Sequence, residues 1–284
     1  MANAKRQPAW KTELDDLMRA VAGAFLFGAP FLYTMEVWWK GNFTSPPRML
    51  LLLGIAYAAL ILLNLQGGFR GERSKTRMRV MTDSLEALAI ALLSATLSLI
   101  LIGVIHLDTG LEAAMGRVIN EALPFSLGVG IADNVLHPDD DTASEPDWQD
   151  QTWRGTFADA GATALGAIVV SASIAPTDEI PMISSMISVP WLLIIIAASL
   201  LLSYLIVFQA SFGAQNSRRS QPGFFQSPIS ETLASYLISL LISVLMLWIF
   251  QLVRLEDPGV QWVSYTVILG FPATIGGAAG RLAL

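Results

Sequence analysis

Threonine followed two residues later by glutamate occurs twice in this chain at the end of a long apolar stretch. Thr34 and Glu36 lie in "FLYTMEVWW" (31–39), and Thr177 and Glu179 lie in "IAPTDEIPM" (174–182), 143 residues further on. Carboxylates flanked by hydroxyls are oxygen ligands for cations. Rings of Asp and Glu select cations in channels, and hard divalent ions such as calcium take several such oxygens. One chain supplies two glutamates, and a homodimer around a shared axis supplies four. Glu36 and Glu179 are therefore the candidate metal ligands of a cation pathway, with Thr34 and Thr177 beside them. The competing reading is an ordinary glutamate at a membrane interface. On a regular helix, positions i and i+2 lie about 200° apart. Thr and Glu then share one pathway only if the helix unwinds, which Pro176 and Pro181 favour in the second copy.

The elements that carry these residues belong in a bilayer. The chain has 284 residues, 54% hydrophobic and 14% charged, whereas soluble domains carry about 25% charged residues. Runs such as Trp191–Phe208 and Leu233–Val253 reach the ~18 apolar residues that read as a membrane span. The expected fold is all-α and polytopic, with eight transmembrane helices near 17–38, 47–66, 84–106, 115–136, 155–175, 183–208, 231–253 and 261–283. No cleavable signal is expected, because the first apolar run begins near Arg19 after a polar, mixed-charge segment. There is no cysteine, and the only histidines are His106 and His137, so neither zinc nor haem is expected. With no H-E-x-x-H, G-x-S-x-G or phosphate-loop motif, enzymatic activity is not expected. Cofactors and nucleic-acid partners are likewise not expected.

Shifting the chain by 143 overlays its halves. Trp10 meets Trp153, Asp16 meets Asp159, Gly23 meets Gly166, Thr34 meets Thr177, Glu36 meets Glu179, and Gln66 meets Gln209. Beyond a longer loop in the first half the shift becomes 148. Asp83 then meets Glu231, His106 meets Arg254, Pro124 meets Pro272, and Gly128 meets Gly276. Coincident Trp, Glu, Gln and Pro in order suggest an internal repeat. The expected domains are 1–136 (first repeat), 137–152 (acidic cytoplasmic linker) and 153–284 (second repeat). Four spans per repeat, an even number, make the copies parallel, related by a pseudo-two-fold along the membrane normal.

With the N-terminus inside, 13 of the 17 Lys and Arg residues fall on the cytoplasmic side. That bias puts both termini in the cytoplasm of a cell inner (plasma) membrane. Asp16, Asp159, Asp83 and Glu231 then mark the inner ends of related helices and complete the candidate cation pathway. Asp16 to Glu36 spans about 30 Å as one helix. The stretch "HPDDDTASEPDWQDQ" (137–151) lacks the glycine turn and terminal glutamate of a calcium loop and reads as a solvated linker. Helix four, "MGRVINEALPFSLGVGIADNV", carries Arg117, Asn120, Glu121, Asp133 and Asn134 around Pro124, whereas its partner "VSYTVILGFPATIGGAAGRLA" is apolar. Any pathway is therefore asymmetric, or helix four meets water.

The segment "GAPFLYTMEVWW" and the eight-span layout resemble an uncharacterised family of bacterial integral membrane proteins. The resemblance covers nearly the whole chain and implies a membrane location without an activity. The leading expectation is a cation channel with paired carboxylates at its outer mouth, suited to divalent ions. The alternatives are a proton-coupled cation transporter and a non-transporting scaffold or sensor. The expected partners are inorganic cations, the lipid bilayer and a second copy of the chain.

Overall fold

The computed structural model describes residues 9–66, 77–135, 152–209 and 228–283, which are helical apart from turns. The helices are α1 (Ala9–Gly28), α2 (Met35–Gly41), α3 (Pro46–Gln66), α4 (Arg77–Leu101), α5 (Leu111–Val135), α6 (Thr152–Ile174), α7 (Glu179–Met186), α8 (Leu192–Tyr204), α9 (Pro228–Ile249) and α10 (Gly259–Ala283). A 3-10 turn, Ala29–Tyr33, follows α1, a second one, Val189–Trp191, leads into α8, and a π turn, Leu205–Gln209, ends α8. Paired prolines Pro46 and Pro47 open α3, where missing N–H groups leave no helical bond unmade. Within the apolar helices, Ser84, Thr96, Ser98, Ser199, Ser239 and Ser243 donate to the carbonyl four residues back. Their hydroxyls therefore carry no unpaired polarity into the core.

Five helical stretches are long and apolar enough to cross a membrane: 46–65, 77–101, 189–208, 228–249 and 259–282. Counting each of two bent helix pairs as one span raises the number to seven. The described chain is thus all-helical with five to seven candidate spans. α5 has the same length as α4 but is not among them, and it holds Glu112, Arg117, Glu121 and Asp133.

The bent pairs correct two expected helices. The first, 17–38, is not continuous: the chain turns through 85° between Glu13–Tyr33 and Met35–Gly41. Asp16 and Glu36 are therefore not joined by one straight rod. Pro30, which has no N–H, opens the 3-10 turn that precedes the break. The sixth, 183–208, is divided at Ile187 and Ser188 into α7 and a helical stretch from Val189. α6 and α7 meet at 87° after Ala175–Asp178. The unwinding considered for Pro176 is observed, and the chain before Thr34 and Glu36 breaks as well.

Close backbone packing holds the elbows in place. α5 packs along α1, and α10 packs along α6. A Cβ added to Gly23 would lie 2.6 Å from the Gly128 carbonyl oxygen, and one added to Gly276 would lie 2.6 Å from that of Gly166. These are small-residue crossings of the kind that let membrane helices approach. The turns leading into α5 and α10 also match. Gly103 and Gln251 hold positive φ (72° and 61°). His106 N–H donates to Thr109 Oγ1 (2.9 Å), and Arg254 N–H donates to Asp257 Oδ2 (2.7 Å). Val104 and Leu252 N–H donate to Leu99 and Leu247 carbonyls at 2.8 and 2.9 Å. Each residue of the first turn lies 148 positions before its counterpart in the second. Contacts between the halves include Tyr33 Oη donating to the Ile268 carbonyl (2.6 Å) and Trp191 Nε1 donating to that of Leu101 (2.8 Å).

Gly166→Val should cost on the order of 3 kcal/mol by forcing α6 off α10. Gly54→Ala, whose Cβ meets nothing within 4 Å, should be neutral or stabilising. Thermal unfolding of the two variants in detergent measures the difference.

Candidate functional site

The freed carbonyls of the first elbow are collected by side chains. Trp38, fully buried, donates its indole N–H to the Leu32 carbonyl at 3.1 Å. From α5, Asn120 Nδ2 donates to the Val37 carbonyl at 3.0 Å. Arg117 Nε donates to Asn42 Oδ1 at 2.7 Å, and its Nη1 donates to the Val104 carbonyl. Arg117 therefore ties the end of α2 to the α4–α5 turn. Thr34 caps the start of α2 without a side-chain hydrogen bond, and Glu36 lies exposed in its first turn.

The second elbow is more enclosed. Thr177 Oγ1 donates back to the Ile174 carbonyl at 2.6 Å, so its hydroxyl serves the break itself. Asp178 precedes α7, and Glu179 occupies the first turn. Glu179 is 8% exposed, and its Oε2 has no hydrogen-bond partner. The two T-x-E segments thus both lie at near-right-angle bends but differ in local backbone form and in solvent access.

The remaining predicted residues lie at the opposite ends of the helices. Asp159 begins the described side chains of α6, and Glu179 follows that helix's far end, about 23 Å from Asp159 to Ile174 along the axis. Asp159 and Glu231 converge on Arg281, the last-turn arginine of α10. Arg281 is 2% exposed. Its Nη2 lies 3.8 Å from Asp159 Oδ2 and pairs with Glu231 Oε1. Its Nη1 donates to Ser235 Oγ at 3.0 Å, and the guanidinium sits 6.0 Å from the Phe208 ring centroid. In the first half, Asp16 pairs with Arg19 at 3.3 Å, and Asp83 is buried. Among the described residues, no three His, Asp or Glu side chains form a group able to hold a metal ion. His137, the 137–151 stretch and the Asp133 side chain lie outside the described residues.

Two functional candidates are weakly signalled in the sequence. Arg281 is the lone charge of an apolar helix, and a cation in its last turn demands an acid partner. Glu121 reads in the sequence only as one of several polar residues on α5. It is fully buried, and neither carboxylate oxygen has a hydrogen-bond partner among the described residues.

Long apolar helices, bent spans and charges gathered near helix ends define a polytopic integral membrane protein. The chain belongs to the family described as "Putative integral membrane protein (DUF2391)", whose profile matches residues 16–284. No curated protein and no solved structure matches it.

Removing one member of a buried ion pair costs about 3–5 kcal/mol, because the other charge is left uncompensated. Arg281→Ala should therefore lower thermal stability strongly, and Arg281→Ala combined with Glu231→Gln should recover part of the loss. A double-mutant cycle by melting in detergent measures the coupling.

Proposed function

We propose that the protein moves inorganic cations across the bilayer as a carrier coupled to protons. The observation that carries this reading is the pair of acid-bearing elbows, each closing a helix that would otherwise span the membrane. Discontinuous helices build the ion sites of many secondary transporters, where freed backbone groups and acids meet. The enclosure of Glu179 favours a carrier over an open pore, since mouth carboxylates of channels act on hydrated ions. The exposure of Glu36 favours the second reading, a cation channel with a carboxylate-lined mouth. In either case Glu36, Glu179, Thr34 and Thr177 line the outer end of the pathway, and the inner acids Asp16 and Asp83 lie at the other end. Asp159 and Glu231 act there through Arg281. A homodimer would double the glutamates.

In the same reading, residues 1–136 and 153–284 are parallel four-span repeats about an axis along the membrane normal, with α5 as a span and 137–152 as the linker. The matched glycine crossings and matched turns support this arrangement. The basic residues favour cytoplasmic termini in the cell inner membrane.

Glu36→Gln and Glu179→Gln should each reduce cation uptake into proteoliposomes, and the double variant should be non-additive. Saturable uptake driven by a pH gradient marks the carrier, and fast uncoupled current marks the channel. Background flux for every form, wild type included, would leave a scaffold or sensor. A C-terminal fluorescent reporter should glow in the cytoplasm, and an active phosphatase fusion at that end would reverse the topology.

A further inference from the structure

We infer that Glu121 is a proton-binding site facing the first elbow. On α5, Arg117, Glu121 and Phe125 follow one another at four-residue spacing and so share a face. Below Glu121, the Phe125 ring packs on Gly28, the last residue of α1, where an added Cβ would lie 2.6 Å from a ring carbon. Above it, the Arg117 backbone packs on Gly41, the last residue of α2, with an added Cβ 2.6 Å from its Cα. Glu121 therefore lies at the level of the 85° turn between α1 and α2.

No described side chain or backbone group hydrogen-bonds this carboxylate. Glu121 is fully buried, and both its oxygens lack a hydrogen-bond partner among the described residues. Among the described residues, the titratable or charged groups on the elements next to this turn include Tyr33, Glu36, Lys40, Arg48, Tyr57 and Arg117, and the Tyr57 hydroxyl donates to the Met81 carbonyl. The Tyr33 hydroxyl donates to Ile268. Glu36 and Lys40 are exposed. Arg117 is committed to Asn42 and Val104. An ionised carboxylate left unpaired in such a place is strongly disfavoured, and a proton neutralises it. Metal ions are a poor fit, because calcium takes 6–8 oxygens and no metal-binding group of three His, Asp or Glu residues exists among the described residues.

Packing alone does not call for an acid here. The residue 148 positions on is Leu269, buried on α10. Loss of the proton would create a negative charge one helical turn from Arg117, the guanidinium that ties α2 to the α4–α5 turn. Proton occupancy at Glu121 thereby acts on the elbow. The proton site stands on this geometry, and its use in driving transport rests on the carrier reading proposed above.

Infrared spectra of the full-length protein in lipid vesicles test the site directly. At neutral pH the wild-type-minus-variant difference spectrum should show the C=O stretch of a protonated carboxyl for both Glu121→Gln and Glu121→Leu. The leucine variant copies Leu269 and should fold. A difference spectrum at neutral pH in which neither variant loses carboxyl C=O intensity relative to the wild type would overturn the inference. In the same vesicles, uptake driven by a pH gradient should fall to the level of protein-free vesicles in both variants. A wild type that shows the band without such uptake would support the proton site and sink the carrier reading.

Discussion

A helix that breaks inside an apolar frame sets free carbonyl and N–H groups that lipid cannot satisfy. Much of this molecule is arranged around that constraint. Each break is met by a donor from a side chain. Trp38 serves Leu32, Asn120 serves Val37, Arg117 serves Val104, Thr177 serves Ile174, and Trp191 serves Leu101. Three of these five bonds join different elements, so satisfying the backbone also fixes the packing. The polar face of α5 follows from the same demand. Asn120 and Arg117 are costly on a helix among apolar neighbours, and they are retained where broken backbone needs donors.

Such donors reach their carbonyls only if the helices lie close together. The crossings of α1 with α5 and of α6 with α10 supply this closeness through glycines, since any side chain at Gly23 or Gly276 would collide with the facing backbone. Tight packing then isolates whatever polar group is trapped beside it. Among the described residues, Glu121 and the Oε2 atom of Glu179 are left without partners, while the buried Arg281 pairs with Glu231 and Asp159. In the second half, paired charges thus lie at one end of α6, and a carboxylate with one unpartnered oxygen, Glu179, lies at the other. Paired ions anchor helix ends. Unpaired ones change protonation or bind something, and the functional proposals rest on these.

Corresponding positions of the two halves share backbone form more than chemistry. Gly103 and Gln251 both adopt positive φ, although a glutamine holds that conformation less easily than a glycine. Glu36 is exposed where Glu179 is enclosed, and Glu121 is matched by Leu269. Backbone geometry tolerates these exchanges because it is set by the crossings and turn hydrogen bonds. Solvent access is set by the particular neighbours, and these differ.

By itself the sequence determined the membrane class and the approximate extent of the most apolar helices; it suggested eight spans, where five to seven stretches are long and apolar enough. Apolar length and residue identity are local properties, so a single chain displays them. Pro176 made one break legible, and Pro30 was a comparable signal for the other. Only the tertiary structure decided that the chain turns through 85° and 87°, that Asp159 and Glu231 share Arg281, and that Glu121 is sealed while Glu36 is not. These outcomes depend on which helix faces lie together across more than a hundred residues of chain. Helical periodicity places a side chain on a face without naming the neighbour that will cover it.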